Sequence, residues 1–178
     1  MRNTKTFFIV EAAIIAALYI VLTYLADTLG LASHAIQVRF SEALTILPFF
    51  TPAAIPGLYV GCLLSNIIFG CALPDIIFGS LATLVGAIGT YYIAHGTKKP
   101  TDPRFITANK IKQFLCTLPP VIANVIVVPP ILLYVYQLEG TLPFFMLTVG
   151  IGEIISCILL GLILLNCLFP YKNKIFIK

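Results

Sequence analysis

Six polar side chains with ligand-binding chemistry interrupt a chain that is otherwise mostly apolar: Arg39, Glu42, Asn66, Asp75, Asn124 and Glu153. Carboxylates accept hydrogen bonds and attract cations, arginine donates hydrogen bonds, and asparagine does both. Ionisable groups are costly in hydrocarbon, so they usually face a cavity or a partner. The elements that carry these residues therefore decide whether they form one site.

Long apolar segments dominate the chain, which is 60% hydrophobic and 10% charged and has a mean hydropathy of +1.03. Soluble domains of this size carry roughly 25% charged residues. We predict an all-α integral membrane protein with a single transmembrane domain over residues 1–178 and six transmembrane helices. A helix needs about 20 residues to cross the hydrocarbon, so the second and third segments are short and could instead be irregular or re-entrant. The predicted helices cover about 7–26, 36–50, 53–69, 75–94, 114–136 and 142–169.

The basic residues indicate the orientation of the chain. Ten of the 11 lysines and arginines lie before segment one, between segments four and five, or after segment six. Six spans place these three regions on one side of the membrane, and the positive-inside rule then predicts that both termini are cytoplasmic. The connector at residues 97–105 is expected inside, and the one at 26–36 outside. Arg39 is the exception, because it lies at the outer end of segment two.

The six polar residues are expected at similar depths. At a rise of about 1.5 Å per residue, Glu153 lies about 16 Å from Leu142 and Asn124 about 15 Å from Phe114, both near the midplane. The other four lie near the outer ends of their segments. This pattern predicts one pocket that opens to the outside.

The charges of this pocket indicate its ligand. Three carboxylates and one guanidinium leave a net charge of −2, which favours a cationic or donor-rich ligand. The rings of Phe40, Phe69 and Phe78 are available to stack on a heterocycle, although ordinary packing explains each of them as well. Other interpretations remain open: a mutual Arg39–Glu42 salt bridge, a helix cap by Asp75, and hydrogen bonds between helices by the two asparagines.

Small residues on segment one are spaced for close helix packing. Ala12 and Ala16 form one pair at a spacing of four, and Ala13 and Ala17 form another. Such strips let a second helix approach closely, either within the bundle or from a partner. Gly57 and Gly61 make a similar pair on segment three.

The sequence lacks the common catalytic and nucleotide-binding motifs. It has no Walker A, GxSxG or HExxH pattern, and its five cysteines show no metal-binding spacing. We therefore expect no catalytic residues, no cofactor, no metal and no nucleic acid partner.

Four stretches carry a family resemblance: IQVRFSEALTILPFFTPAAIPGLYVG (36–61), NIIFG (66–70), LPDIIFGSLATL (73–84) and GIGEIIS (150–156). They resemble the QueT family of queuosine-precursor transporters. The resemblance implies the substrate-binding S component of an energy-coupling factor (ECF) importer in the bacterial plasma membrane, with an ECF S-component-like bundle of six helices. Its ligand would be queuosine, preQ1 or preQ0, and its partners a transmembrane coupling (T) subunit and two ATPase subunits.

The resemblance also implies roles for individual residues. The AxxxA motif that contacts the coupling subunit corresponds to Ala13 and Ala17, with Ala12 and Ala16 as the alternative register. We hypothesise that Glu153 binds the ring N–H and exocyclic amine of the ligand, and that Asn66 and Asn124 bind other edges of its ring. Asp75 or Glu42 would bind the ammonium group of the ligand. Arg39 would bind its ring carbonyl or a carboxylate. The alternatives are an S component for another small vitamin-like heterocycle, an intramembrane enzyme, and a channel or small exporter.

Overall fold

The computed structural model describes residues 4–31, 38–96 and 109–176, and all regular secondary structure in these ranges is helical. The predicted connector at 97–105, the start of segment two at residue 36 and the second part of the predicted 26–36 connector (residues 32–36) lie outside the described residues. The elements are α1 (Thr4–Thr28), a 3₁₀ segment (Phe40–Phe49), α2 (Ala54–Ile68), α3 (Leu73–His95), α4 (Lys110–Leu115), α5 (Leu118–Tyr134), α6 (Leu142–Glu153), a π segment (Ile154–Leu160), α7 (Gly161–Leu168), a short 3₁₀ turn (Phe169–Tyr171) and α8 (Lys172–Ile175).

Four stretches in the described part of the chain are long and apolar enough to cross a membrane: Lys5–Thr28, Leu73–His95, Lys110–Tyr134 and Leu142–Tyr171. The prediction of an all-helical membrane bundle is therefore confirmed. Segments two and three form helices of only 10 and 15 residues. Their lengths are about 20 Å and 22 Å, short of about 30 Å of hydrocarbon. Six full spans and the orientation of the termini stay predictions.

The 3₁₀ segment lies in the centre of the bundle. Every residue from Ser41 to Phe49 is buried, and the segment packs against α1, α3, α7 and the π segment. Its apolar side chains join a core cluster that includes Tyr19 and Leu58. It therefore serves as a core element that carries Arg39 and Glu42 into the protein, rather than as a lipid-facing span.

Helices α1 and α2 approach each other closely at two glycines. A Cβ atom added to Gly57 would lie 2.7 Å from the carbonyl oxygen of Ala12, and one added to Gly61 would lie 2.7 Å from Cβ of Tyr19. The first alanine pair, Ala12 and Ala16, thus faces α2 within the bundle. This contact also positions Tyr19, which reaches the 3₁₀ segment.

Prolines set the contact between α3 and α5. A Cβ atom on Gly86 would lie 2.7 Å from Cα of Pro120, and one on Gly89 would lie 2.6 Å from Cβ of Pro119. Because Pro120 has no N–H, the carbonyl of Cys116 loses its helical partner. The Thr90 hydroxyl donates to that carbonyl instead, at 2.8 Å, so the break between α4 and α5 is tied to α3.

We predict that Gly61→Ala lowers the thermal stability of the protein in detergent. The added methyl group overpacks the α1–α2 contact, which typically costs about 1–3 kcal/mol and outweighs a helix-propensity gain of about 1 kcal/mol. Gly150→Ala is the matched control, because its nearest neighbour would be a Val125 methyl at an ordinary 3.6 Å. Thermal unfolding of both variants checks this, and an equal or higher midpoint for Gly61→Ala would contradict the packing argument.

Candidate ligand-binding site

A cavity of about 310 Å³ opens where α1 ends and α3 begins. This volume lies at the lower end of the range for small-molecule sites, about 300–1,000 Å³. Arg39, Asn66 and Asp75 line it, so the structure brings three of the six predicted residues together. Its remaining polar lining includes Thr23, Asp27 and Tyr136, and its apolar wall includes Phe69, Val128, Ile131 and Leu132.

Arg39 offers unused hydrogen-bond donors to this cavity. Its guanidinium makes no hydrogen bond or ion pair with any described residue, while its backbone N–H donates to Oγ of Ser156 at 3.2 Å. Its charge interacts with those of Asp75 and Glu42 without direct contact. The open alternative of a mutual Arg39–Glu42 salt bridge is therefore not seen in the described part of the structure.

Asp75 is buried at the first turn of α3 and is tied to the connector after α5. Its Oδ2 accepts a hydrogen bond from the Tyr136 hydroxyl at 2.9 Å, and that hydroxyl accepts from the N–H of Ala72 at 3.1 Å. Ala72 occupies the N-cap position, and no side chain caps the helix. Asp75 is thus a buried carboxylate that borders the cavity, not a cap of α3.

Asn66 links α2 to α3 beside Asp75. Its Nδ2 donates to the backbone carbonyl of Asp75 at 3.4 Å and makes a weak contact with the sulfur of Cys62 at 3.8 Å. A Cβ atom at Gly79 would lie 3.0 Å from Oδ1 of Asp75 and 3.4 Å from Nδ2 of Asn66. Asn66 therefore both joins α2 to α3 and borders the cavity. Because Gly79 has no side chain, it leaves space for the carboxylate of Asp75.

The other three predicted residues form a second, buried group. Nδ2 of Asn124 donates to Oε1 of Glu153 at 2.9 Å, and the thiol of Cys157 donates to Oε2 of the same carboxylate at 3.1 Å. The Tyr19 hydroxyl donates to Oε1 of Glu42. One oxygen of each glutamate and the Cys157 sulfur lie within 4.8 Å of one another. We call these five residues the inner cluster.

The inner cluster lies next to the cavity. Val128, which lines the cavity, is one helical turn beyond Asn124 on α5. Arg39 lies three residues before Glu42 and interacts electrostatically with both glutamates. The six predicted residues are therefore neighbours, but they divide into a cavity lining of three and a covered group of three.

A change of helix type positions the inner cluster. Helix α6 ends at Glu153, and the π segment begins at the next residue. One turn of π-helix holds more residues than an α-turn and is frequent at functional sites. It brings Ser156 to the backbone of Arg39 and Cys157 to the carboxylate of Glu153.

Several residues of the site were not singled out from the sequence. Tyr19 follows Ala12 and Ala16 at positions i, i+4 and i+7, and this periodicity could have placed it on the same inward face. Cys157 lies four residues after Glu153, which is also a same-face spacing. Tyr136 gives no comparable signal, because the predicted fifth helix extends to residue 136 whereas α5 ends at Tyr134.

The predicted partner-binding alanines divide by exposure. Ala16 is buried and Ala12 partly buried, against the glycines of α2, whereas Ala13 and Ala17 are exposed. Only the second pair is available on the described surface of the bundle.

Comparisons with known proteins give a consistent family match. The model of a family described as "QueT transporter" matches residues 9–170. The "Queuosine precursor transporter QueT" of Lactococcus lactis subsp. cremoris (strain MG1363) is 39% identical over 66 residues, which cover 37% of this chain and 39% of that relative. No solved structure gives a significant match.

Proposed function

Because this chain belongs to the QueT transporter family and is a multi-pass cell membrane protein, we propose that it captures queuosine or a precursor base, preQ1 or preQ0, from outside the cell for import. The single observation that carries the proposal is the cavity lined by Arg39, Asn66 and Asp75. The guanidinium of Arg39, the amide of Asn66 and the carboxylate of Asp75 supply the donors and acceptors that a small polar heterocycle requires.

The cavity suits a flat ligand with a cationic arm. Asp27 and Asp75 outweigh Arg39 in its lining, so its formal charge is −1. The side chains of Val128, Ile131 and Leu132 provide an apolar wall, and the ring of Phe69 is available for stacking. We assign the ammonium of an aminomethyl group to Asp75, the ring carbonyl to Arg39 and another ring edge to Asn66.

The inner cluster is the deeper part of the site in this proposal. Glu153 and Asn124 bind the ring N–H groups and the exocyclic amine of the 7-deazaguanine, and Glu42 lies beside Glu153. A carboxylate can accept two adjacent N–H donors from one planar heterocycle. These residues lie beside the cavity, because Val128, one helical turn beyond Asn124 on α5, lines it. Their position supports this assignment.

We assign the chain to the substrate-binding S component of an ECF importer, which works with a coupling (T) subunit and two ATPase subunits. The exposed pair Ala13 and Ala17 supports docking of a partner helix on α1, because small residues permit close approach in a membrane. Helix α1 also borders an apolar groove of about 330 Å³, whose lining includes Val10, Ile14 and Leu18. The absence of nucleotide-binding motifs in the sequence fits ATP hydrolysis by separate chains.

An uptake assay tests this function. Cells that neither make nor import queuosine precursors would express the chain with or without the T and ATPase subunits. We expect labelled preQ1 to accumulate only when all subunits are present. Accumulation with the chain alone would favour a channel or self-sufficient carrier, and no accumulation despite an assembled complex would favour a different heterocycle.

A further inference from the structure

Two carboxylates of the inner cluster lie unusually close together inside the protein. Glu42 is 1% exposed and Glu153 is 8% exposed, and one oxygen of each lies within 4.8 Å of the other. Two like charges that share a buried site oppose each other's ionisation, so such a pair tends to retain a proton. Two ionised glutamates would need compensation from nearby cations or donors.

The hydrogen-bond donors among the described residues leave one of the four carboxylate oxygens of Glu42 and Glu153 without a partner. Both oxygens of Glu153 accept hydrogen bonds, from Asn124 and Cys157. Glu42 accepts one from Tyr19 through Oε1. Its Oε2 is buried and has no hydrogen-bond partner among the described residues. A buried acceptor without a partner is destabilising, and more so when it is charged, so this oxygen favours the neutral, protonated carboxyl group until a ligand supplies a donor.

The surrounding charges do not balance two ionised glutamates. Arg39 is the cation that the described residues place within electrostatic reach of the pair, and it also interacts with Asp75 on α3. The other facing groups are uncharged at neutral pH: Tyr19 on α1, Cys62 on α2, Asn124 on α5 and Cys157 on the π segment. With Asp75 included, three carboxylates would share one guanidinium, so two ionised glutamates would leave an excess of two negative charges around Arg39.

We propose that Glu42 and Glu153 together hold one proton in the ligand-free protein, and that a cationic ligand entering the cavity displaces this proton to the solvent. The O–H bond of one carboxylic acid breaks, its proton passes to water, and the resulting carboxylate stabilises the ligand's positive charge. The shared proton is a property of the chain alone, whereas its displacement by a ligand rests on the proposed function. Binding is therefore coupled to proton release and strengthens as the pH rises.

Infrared spectroscopy of the purified, ligand-free protein tests the proton itself. At neutral pH we expect the carbonyl-stretching band of a protonated carboxylic acid, sensitive to deuterium exchange. Glu153→Gln and Glu42→Gln should each remove it, since the remaining glutamate ionises beside Arg39. Glu11→Gln is the matched control, because it removes a membrane carboxyl group outside the cluster and should leave this band. A wild-type spectrum without the band, or a band that persists in both folded cluster variants, would overturn the proposal.

Calorimetry in two buffers of different ionisation enthalpy tests the displacement. We expect about one proton released when preQ1 binds and none when the uncharged preQ0 binds, with affinity for preQ1 rising up to tenfold per pH unit while the pair remains protonated. Binding of preQ1 without proton release would overturn the displacement. An intact infrared band with no binding of any 7-deazaguanine would instead overturn the proposed function and leave the protonated pair standing.

Discussion

Asp75→Asn is expected to weaken preQ1 binding by about 10- to 100-fold. Asp75 is a buried carboxylate at the cavity, and the asparagine keeps its size and its ability to accept from Tyr136. The loss is therefore the charge-assisted interaction with the ammonium, worth about 1.5–3 kcal/mol. The uncharged preQ0 should lose less than about threefold, because it has no ammonium. Calorimetry on the isolated chain measures both affinities.

Glu139→Gln provides the matched control for the Asp75 variant. Glu139 is an exposed carboxylate on the connector between α5 and α6 and is not among the residues that line the cavity. Removing its charge should leave both affinities within about twofold of wild type, as expected for a solvent-screened group. Equal losses for preQ1 and preQ0 in Asp75→Asn would show that Asp75 supports the cavity without recognising the cation.

Ala17→Leu is expected to reduce uptake by at least about tenfold without changing ligand binding. Ala17 is exposed on α1, four residues from the exposed Ala13. A leucine there would hold a partner helix away, and overpacking of a close contact costs about 1–3 kcal/mol. Uptake by the full complex, co-purification with the T subunit and calorimetry on the isolated chain together measure the effect.

Val85→Leu is the control for bulk added to a membrane-facing surface. Val85 is 61% exposed on α3, away from α1, and its substitution should leave both assembly and uptake unchanged. If Ala17→Leu and Ala13→Leu both kept wild-type uptake, α1 would not be part of the surface that docks on the T subunit. A parallel loss of ligand binding would instead indicate damage to the bundle.

Hydrophobicity predicted the helical class, because long apolar segments in membranes must satisfy their backbone groups internally. It could not show that segment two is a buried 3₁₀ element, since a helix covered by protein and one facing lipid have similar composition. The position of the IQVRF stretch predicts the outer end of a spanning helix. In the structure Arg39 precedes a central 3₁₀ segment, every residue of which beyond Phe40 is buried.

Depth along each segment predicted proximity of the six polar residues but not their grouping. The rise per residue gives a height in the membrane, whereas the direction of a side chain depends on packing and on local helix type. The π segment begins directly after Glu153 and contains Ser156 and Cys157, and the sequence carries no simple signal for it. Glu153 thus belongs to the covered inner cluster, while Arg39 borders the cavity.

The two alanine registers show what packing adds to a pattern. Both pairs have the same spacing, so sequence alone left them as alternatives. The glycines of α2 lie against Ala12 and Ala16. This pair therefore packs inside the bundle and is covered by α2. Ala13 and Ala17 are consequently the pair that we propose for partner docking.

Binding of preQ1 to the purified chain in detergent, measured by calorimetry with guanine and riboflavin as controls, tests whether the protein captures a 7-deazaguanine. We expect tight one-to-one binding of preQ1 and much weaker binding of both controls. A demonstrably folded sample that does not bind preQ1, or that binds riboflavin equally well, would contradict it.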